Sequence, residues 1–414
     1  MVEHFFRHES AKLIAVLTRA FGFSRLDLVE DKVQESMLAA MQAWRQRGVP
    51  TNPAGWIYRV ARNRILDALR REEAHQRALA LSHQTEADVE LLVTEWLSED
   101  QLPDSLLRMI FVCCHPALDR RSQIAMTLKI LCGFSLAEIA RGLLVSTEAA
   151  KKRVQRAKKT LAQQQVEIDL PSSAHLQARL SVVQEVLYLM FNEGYSTSQG
   201  IEPLREDICE EAARLCHLLC EHRAFSTPST RALMALMLFH ASRLEARVDS
   251  QGAVVLLADQ DRSKWDRQLI AVADSWLERS KGESPSRFHL EAAIARVHCQ
   301  ADCVSSTDWG LIVRLYDRLL ALNPSPLYIL NRAVARGESG EVDAALADLE
   351  SIRTGRAMSN YSLLDCAAGR LHELADNDAA AREAYTAALS AAVAPHEQAL
   401  LRKKLEQLLP DEPA

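Results

Sequence analysis

Apolar residues recur at spacings of three and four along almost the whole chain, and no run alternates with period two. Such a segment can bury one face only when it is coiled as an α-helix. Gly and Pro are few (14 and 13 in 414 residues) and fall between the periodic segments. The expected fold class is therefore all-α. Helices are predicted over 4–21, 27–46, 53–75, 103–113, 119–132, 136–142 and 147–164. After Pro171 they are predicted over 175–191, 203–222, 229–246, 265–280, 286–301, 307–321, 326–337, 341–351, 361–375, 378–391 and 395–408. A chain of this length has room for two or three domains.

Charge is unevenly divided. Residues 1–169 carry +3 and residues 170–414 carry −9, for a net −6. That asymmetry points to one end that faces nucleic acid and another, acidic end. No run of 18 apolar residues occurs, and the opening "MVEHFFRHESAKL" lacks a basic stretch followed by an apolar one. No membrane contact and a cytoplasmic location are expected. The nine cysteines are scattered and odd in number, as for free thiols in a reducing compartment. Cys113-Cys114-His115 and His298-Cys299 with Cys303 lack a second pair at zinc-site spacing, so core thiols and no metal or other cofactor are expected. Cys209, Cys216 and Cys220 lie on apolar helical stretches and read the same way. No phosphate loop, dinucleotide fingerprint, H-E-x-x-H or nucleophile elbow is present, which argues against an enzyme.

Two basic clusters carry the chemistry. "NPAGWIYRVARNRILDALRREE" (Asn52 to Glu73) holds five arginines and a tryptophan. Asn52 can cap a helix and Pro53 suits its first turn. At 100° per residue Ile57, Ala61, Ile65, Ala68 and Leu69 share one arc. Arg59, Asn63 and Arg70 share the opposite one, flanked by Arg64 and Arg71, with Trp56 near its edge. Guanidinium groups, an amide and an indole together can hold phosphates and stack on an unpaired base. An ordinary solvated face is the alternative. The preceding "DLVEDKVQESMLAAMQAW" (Asp27 to Trp44) is acidic and amphipathic. Leu28, Val33, Met37, Ala40 and Met41 can face a core, leaving Asp31, Gln34 and Glu35 for a partner.

The second cluster is "FSLAEIARGLLVSTEAAKKRVQRAKKTL" (Phe134 to Leu161). Ser135 and Glu138 fit a capping box, Gly142 sits in a turn, and Ser146 can cap the next helix. On that helix Ala150, Val154, Ala157 and Leu161 form a core face, and lysines and arginines cover the rest. A short helix, a tight turn and a basic second helix follow helix-turn-helix logic. Thr147, Glu148, Lys151 and Lys152 lie early, where base edges are reached. Later cations, Arg153, Arg156, Lys158 and Lys159 among them, suit phosphates.

"VEDKVQES…AW…PTNPAGWIYRVARNRILDALRRE" resembles region 2 of the extracytoplasmic-function class of bacterial RNA polymerase sigma factors. Asp104 to Leu161 resembles region 4. The resemblance implies that the acidic helix docks on the coiled coil of the largest polymerase subunit through Leu28, Asp31, Gln34, Glu35 and Leu38. It implies that the arginine helix and the loop Gln46 to Ala54 melt and read the −10 element. The residues concerned would be Thr51, Asn52, Trp56, Arg59, Arg62, Asn63, Arg64, Arg70 and Arg71. Region 4 would contact the polymerase flap and read the −35 element through Ser146, Thr147, Glu148, Lys151, Lys152, Arg153 and Arg156. The implied partners are RNA polymerase core and promoter DNA.

The expected domains are 1–75 (region 2), 76–102 (an acidic linker), 103–165 (region 4) and 171–414 (a helical-repeat tail). Tyr328 to Ile352 and Leu363 to Leu389 share a helix-turn-helix plan. Gly340 aligned on Asn377 gives a period of about 37, near that of tetratricopeptide pairs. Ala333, Ala344, Ala367 and Ala380 fall where paired helices would approach closely. "NEGY" (Asn192 to Tyr195) reads as a helix stop with Gly194 as C-cap. The whole chain resembles the sigma subgroup with a large C-terminal tetratricopeptide-like extension, which implies a tail that takes part in control. An acidic tail could contact the basic regions of its own chain. A stand-alone helix-turn-helix regulator with a repeat-type sensor, or a repeat scaffold with a DNA-binding front end, are the other readings.

Overall fold

The structure is a computed structural model that describes residues 2–77, 102–143, 145–195, 204–249, 254–282, 284–353, 362–392 and 395–408. The expected linker lies outside the described residues from 78 to 101. The first compact unit, 1–189, holds both regions resembling sigma regions 2 and 4. Its helices are α1 (Val2–Phe21), α2 (Leu26–Arg47), α3 (Pro53–Arg77), α4 (Leu102–Cys113), α5 (Arg120–Ile130), α6 (Leu136–Gly142), α7 (Thr147–Gln163) and the first part of α8 (Ser173–Tyr195). The second unit, 190–414, starts within α8 rather than in the segment before it. It continues through α9 (Glu206–Glu221), α10 (Pro228–Ala241), α11 (Arg267–Arg279), α12 (Arg287–Gln300), α13 (Trp309–Leu322), α14 (Pro326–Glu338), α15 (Val342–Arg353), α16 (Ser362–Leu374), α17 (Asp378–Ala391) and α18 (Pro395–Gln407). Among the described residues no strand forms, and only an isolated bridge joins Val248 to Val254.

Short polar side chains start the helices where the spacing predicts. Asn52 Oδ1 accepts from the Gly55 amide at 2.8 Å. Ser135 and Glu138 close a reciprocal box, with the Ser135 amide donating to Glu138 Oε2 at 2.7 Å and the Glu138 amide donating to Ser135 Oγ at 3.2 Å. Ser146 Oγ accepts from the Ala149 amide at 3.1 Å. In the second unit Asp266, Asp308 and Asn377 cap α11, α13 and α17 in the same way. Each cap satisfies an amide that the first helical turn leaves without a partner.

In the first unit α1 packs on α2 and α4, α2 on α3, and α7 on α5 and α6. The arc predicted for α3 is the inner one: Ile57, Ala61 and Ile65 are fully buried, and Ala68 and Leu69 half-buried. Ala150, Val154, Ala157 and Leu161 are likewise buried on α7. On α2 the expectation needs correction. Leu26, Val29, Glu30, Val33, Met37 and Ala40 are buried, Leu28 is only half-buried, and Met41 is exposed. Gly142 is the last residue of α6, so the turn falls after it.

The second unit is a succession of helices in which each packs on its neighbours. Predicted 229–246 is an α-helix only as far as Ala241, followed by a 3-10 turn at Leu244–Ala246. Gly194 does not end its helix, which runs on to Tyr195. It is a point of close approach: a Cβ there would lie 2.8 Å from the Arg205 carbonyl oxygen.

The helix pairs repeat at 36 rather than 37 residues. Gly340 (φ 91°) and Asp376 (φ 53°) take the left-handed turn position before α15 and α17. Ala345 and Ala381, 36 residues apart, are fully buried, whereas Ala344 is exposed and Ala380 only half-buried. Asp348 of α15 pairs with α14, which Arg332 in turn ties to α13. It accepts from Arg332 at 2.8 and 3.0 Å and from Arg336 at 2.9 Å, while Arg332 also reaches Asp317 at 2.7 Å.

Gly369 lies against the buried Tyr385 ring, where a Cβ would come within 2.6 Å of Cε1. Gly369→Ala is expected to destabilise the second unit by about 1–3 kcal/mol through overpacking. Urea unfolding of the full chain would measure this. Combining the change with Tyr385→Leu should give less than the sum of the two single effects.

Candidate nucleic-acid interface

Burial of one arc of α3 turns its polar arc outward. Thr51, Asn52, Arg59, Asn63, Arg70 and Arg71 are exposed, and Arg62 and Arg64 are half-buried. Arg70 reaches Asp67 at 3.3 Å on the same exposed face, and Arg64 lies 3.9 Å from Glu35 of α2. Exposed pairs of this kind contribute little and yield readily to phosphate. Trp56 is half-buried, edge-on to Trp44 with ring centroids 6.0 Å apart. The indole sits between the α2–α3 packing and the exposed loop rather than standing free.

On α7, Ser146, Thr147, Glu148, Lys151, Lys152 and Arg156 are all exposed. Glu148 and Lys152 lie 3.6 Å apart on the surface. Arg153 departs from the expectation: its side chain is half-buried and turned toward Asp119, the cap of α5, at 3.7 Å. A cation so placed braces the turn of the module. Lys158, read from sequence as a phosphate contact, also departs.

Lys158 Nζ bonds Asp27 Oδ1 at 2.6 Å and contacts Glu30 Oε2, joining α7 to the start of α2. Glu30 is 5% exposed and the Lys158 side chain 16%. Burial alone would lower the Lys158 pKa, but Glu30 and Asp27 outweigh it and hold the ammonium above the ordinary lysine value. The ion pairing is therefore at full strength below the unfolded lysine pKa of about 10.4, and fades as pH rises through the folded value. A second clasp joins α1 to α4, where Arg19 reaches Asp104 at 3.1 Å and Ser105 Oγ at 3.2 Å. Local spacing could not reveal the Lys158 contacts, whose partners lie 131 and 128 residues away.

The outer face of α2 carries Asp31, Gln34, Glu35, Leu38 and Met41, all exposed. These positions form one stripe at helical spacing. Leu38 is 62% and Met41 40% exposed. Of the residues assigned to docking from sequence, Asp31, Gln34, Glu35 and Leu38 are exposed and Leu28 is half-buried, while Met41, expected in the core, is exposed. Among the described residues no group of three or more His, Cys, Asp or Glu is placed to hold a metal ion. No helix among them is long and apolar enough to cross a membrane.

Comparison with known proteins agrees with this layout. Residues 5–75 match Sigma-70 region 2 and residues 108–161 match Sigma-70 region 4. Residues 179–281 match a family of unknown function, DUF6596. The chain belongs to the extracytoplasmic-function sigma factors. This sigma factor has a helical C-terminal extension and a role of the sigma type in transcription initiation. It is 38% identical over 407 residues to "Uncharacterized protein R00370" of Rhizobium meliloti (strain 1021), covering 96% of this chain and 95% of that one. No solved structure matches it.

Lys158→Met leaves Glu30 without its cation and is expected to destabilise the first unit by about 2–3 kcal/mol. Adding Glu30→Gln should recover part of that loss. Denaturant unfolding of the single and double variants measures the coupling, and additive effects would place Glu30's counter-charge elsewhere.

Proposed function

We propose that this sigma factor binds RNA polymerase core through the outer stripe of α2 and directs initiation at its promoters with two separate reading surfaces. The loop before α3 and the arginine arc, with Thr51, Asn52, Trp56, Arg59, Arg62, Asn63, Arg64, Arg70 and Arg71, serve the −10 element. The exposed start of α7 serves the −35 element, with Thr147, Glu148, Lys151 and Lys152 at base edges and Arg156 on phosphate. The C-terminal helical unit regulates activity within the same chain. The proposed setting is cytoplasmic, with no chemistry of its own.

One observation carries the reading: Leu38 and Met41 stand exposed among acids on a helix whose inner face is already fully packed. A helix that served only as scaffold for a stand-alone regulator gains nothing from exposed leucine and methionine. A protein partner that buries them does.

Promoter-directed initiation by purified core polymerase tests the proposal. The full chain should confer it, and tight operator binding with no effect on core polymerase would favour the stand-alone regulator. Leu38→Asp should lower core affinity about tenfold or more while leaving duplex binding alone. Lys151→Ala and Arg156→Ala should each weaken duplex binding and reduce its salt slope by about 1, whereas Arg153→Ala should not change the slope.

A further inference from the structure

α4 ends at Cys113, and the last carbonyls of an α-helix have no donors within the helix. The Cys114 amide still donates to the Ile110 carbonyl at 2.9 Å. The His115 amide, whose regular partner four residues back would be the Phe111 carbonyl, turns instead to Val112 at 3.1 Å. The Phe111 carbonyl receives Arg179, from the first part of α8, whose Nη2 donates to it at 2.5 Å. The centre of that guanidinium stands 5.9 Å from the centroid of the buried Phe111 ring. A cation at a helix C-terminus also meets the negative end of the helix dipole. Arg179 is thus a cap for α4 that comes from 68 residues further along the chain.

Further contacts hold the same corner. Arg108 of α4 pairs with Asp169 in the connection before α8. At the start of α5, Arg120 donates to the Gln123 side chain at 3.0 Å and to the Val182 carbonyl of α8 at 3.4 Å. Gln123 in turn donates to the Cys114 and His115 carbonyls at 3.3 and 3.0 Å. α8 therefore holds the α4–α5 turn on both sides. Asp119, one residue before Arg120, caps α5 and faces Arg153 of α7 at 3.7 Å. Contacts run without a gap from Arg179, through the turn, to the helix that exposes Thr147, Glu148, Lys151 and Lys152. The family boundaries fall elsewhere. Region 4 is matched over 108–161, and the match to the family of unknown function begins at residue 179 itself.

We propose that Arg179 is a positioning residue for the −35 reading surface: by capping α4 it fixes the α4–α5 turn and, through Asp119 and Arg153, the pose of α7. Arg179 itself touches no DNA. The assignment rests on the promoter reading of α7 proposed above. Contacts to base edges are directional and carry the sequence information, whereas contacts to phosphate do not. A turn released by loss of Arg179 would therefore cost discrimination among −35 sequences before it cost affinity for duplex. The segment that opens the C-terminal family is on this account a working part of the module that precedes it.

The test uses holoenzyme reconstituted from the full chain and core polymerase on barcoded templates randomised at the −35 and −10 elements. Barcodes read from the transcripts give the base preference at each element. Arg179→Met keeps the apolar stem and removes the donor. It should lower the −35 preference about fivefold and leave the −10 preference as it was. Arg179→Lys restores a charged donor and should recover most of the loss. Arg120→Met, at an exposed position that spares the fold, should act in the same direction by a smaller factor. In an Arg153→Ala background, Arg179→Met should add little, because both changes break one run of contacts. Unchanged −35 preference in Arg179→Met and Arg120→Met would overturn the proposal. So would a joint fall at both elements in these variants, no recovery with lysine, or full additivity with Arg153→Ala. A wild-type chain with no preference at either element would remove the promoter reading, and this assignment with it.

Discussion

Each helix here can hide only one side of itself, and that constraint sets where everything else goes. Backbone hydrogen bonds are satisfied inside the helices, so within each unit the helices are joined by side-chain packing and by ion pairs. Once Ile57, Ala61 and Ile65 are committed to the interior of the first unit, the arginines of α3 have nowhere to go but out. The same holds on α7, where four small or branched apolar residues fix the orientation of the lysine-rich arc. The exposed cationic arcs follow from core packing, without any dedicated scaffold for them.

Much of this was legible in the sequence because the signals were local. Caps at Asn52, Ser135 and Ser146 involve residues three apart, and the apolar arcs repeat every turn. The failures share a cause as well. Arg153 and Lys158 look like solvated cations until distant chain segments supply Asp119, Asp27 and Glu30. Periodicity gives a helix a hydrophobic face and does not say whether its edge, such as Met41, will find a neighbour. Gly194 was misread for a related reason. Glycine at the end of an apolar run suggests a stop, but the close approach of the Arg205 carbonyl is a tertiary fact.

The repeat in the C-terminal unit shows how far a one-residue offset travels. Aligning Gly340 on Asn377 put Ala344 and Ala380 at the contacts. The left-handed residue of the second turn is Asp376, and the buried alanines move with it to Ala345 and Ala381. Asp takes that conformation less readily than Gly, though better than most side chains. Cys303 belongs with these cases. Read with the other cysteines as a core thiol, it is exposed and lines a cavity.

The Lys158 clasp has a thermodynamic consequence. Asp27 and Glu30 stand at the beginning of the very helix whose outer stripe is exposed, and Lys158 stands on the helix that carries the exposed basic arc. A cationic surface that captures the two carboxylates sets the ammonium free, and a polyanion that captures the ammonium uncovers the carboxylates. The two events are linked, so each must tighten the other by the same factor. The ion pair is thus a point at which any event that opens it from the α2 side is coupled to any that opens it from the α7 side.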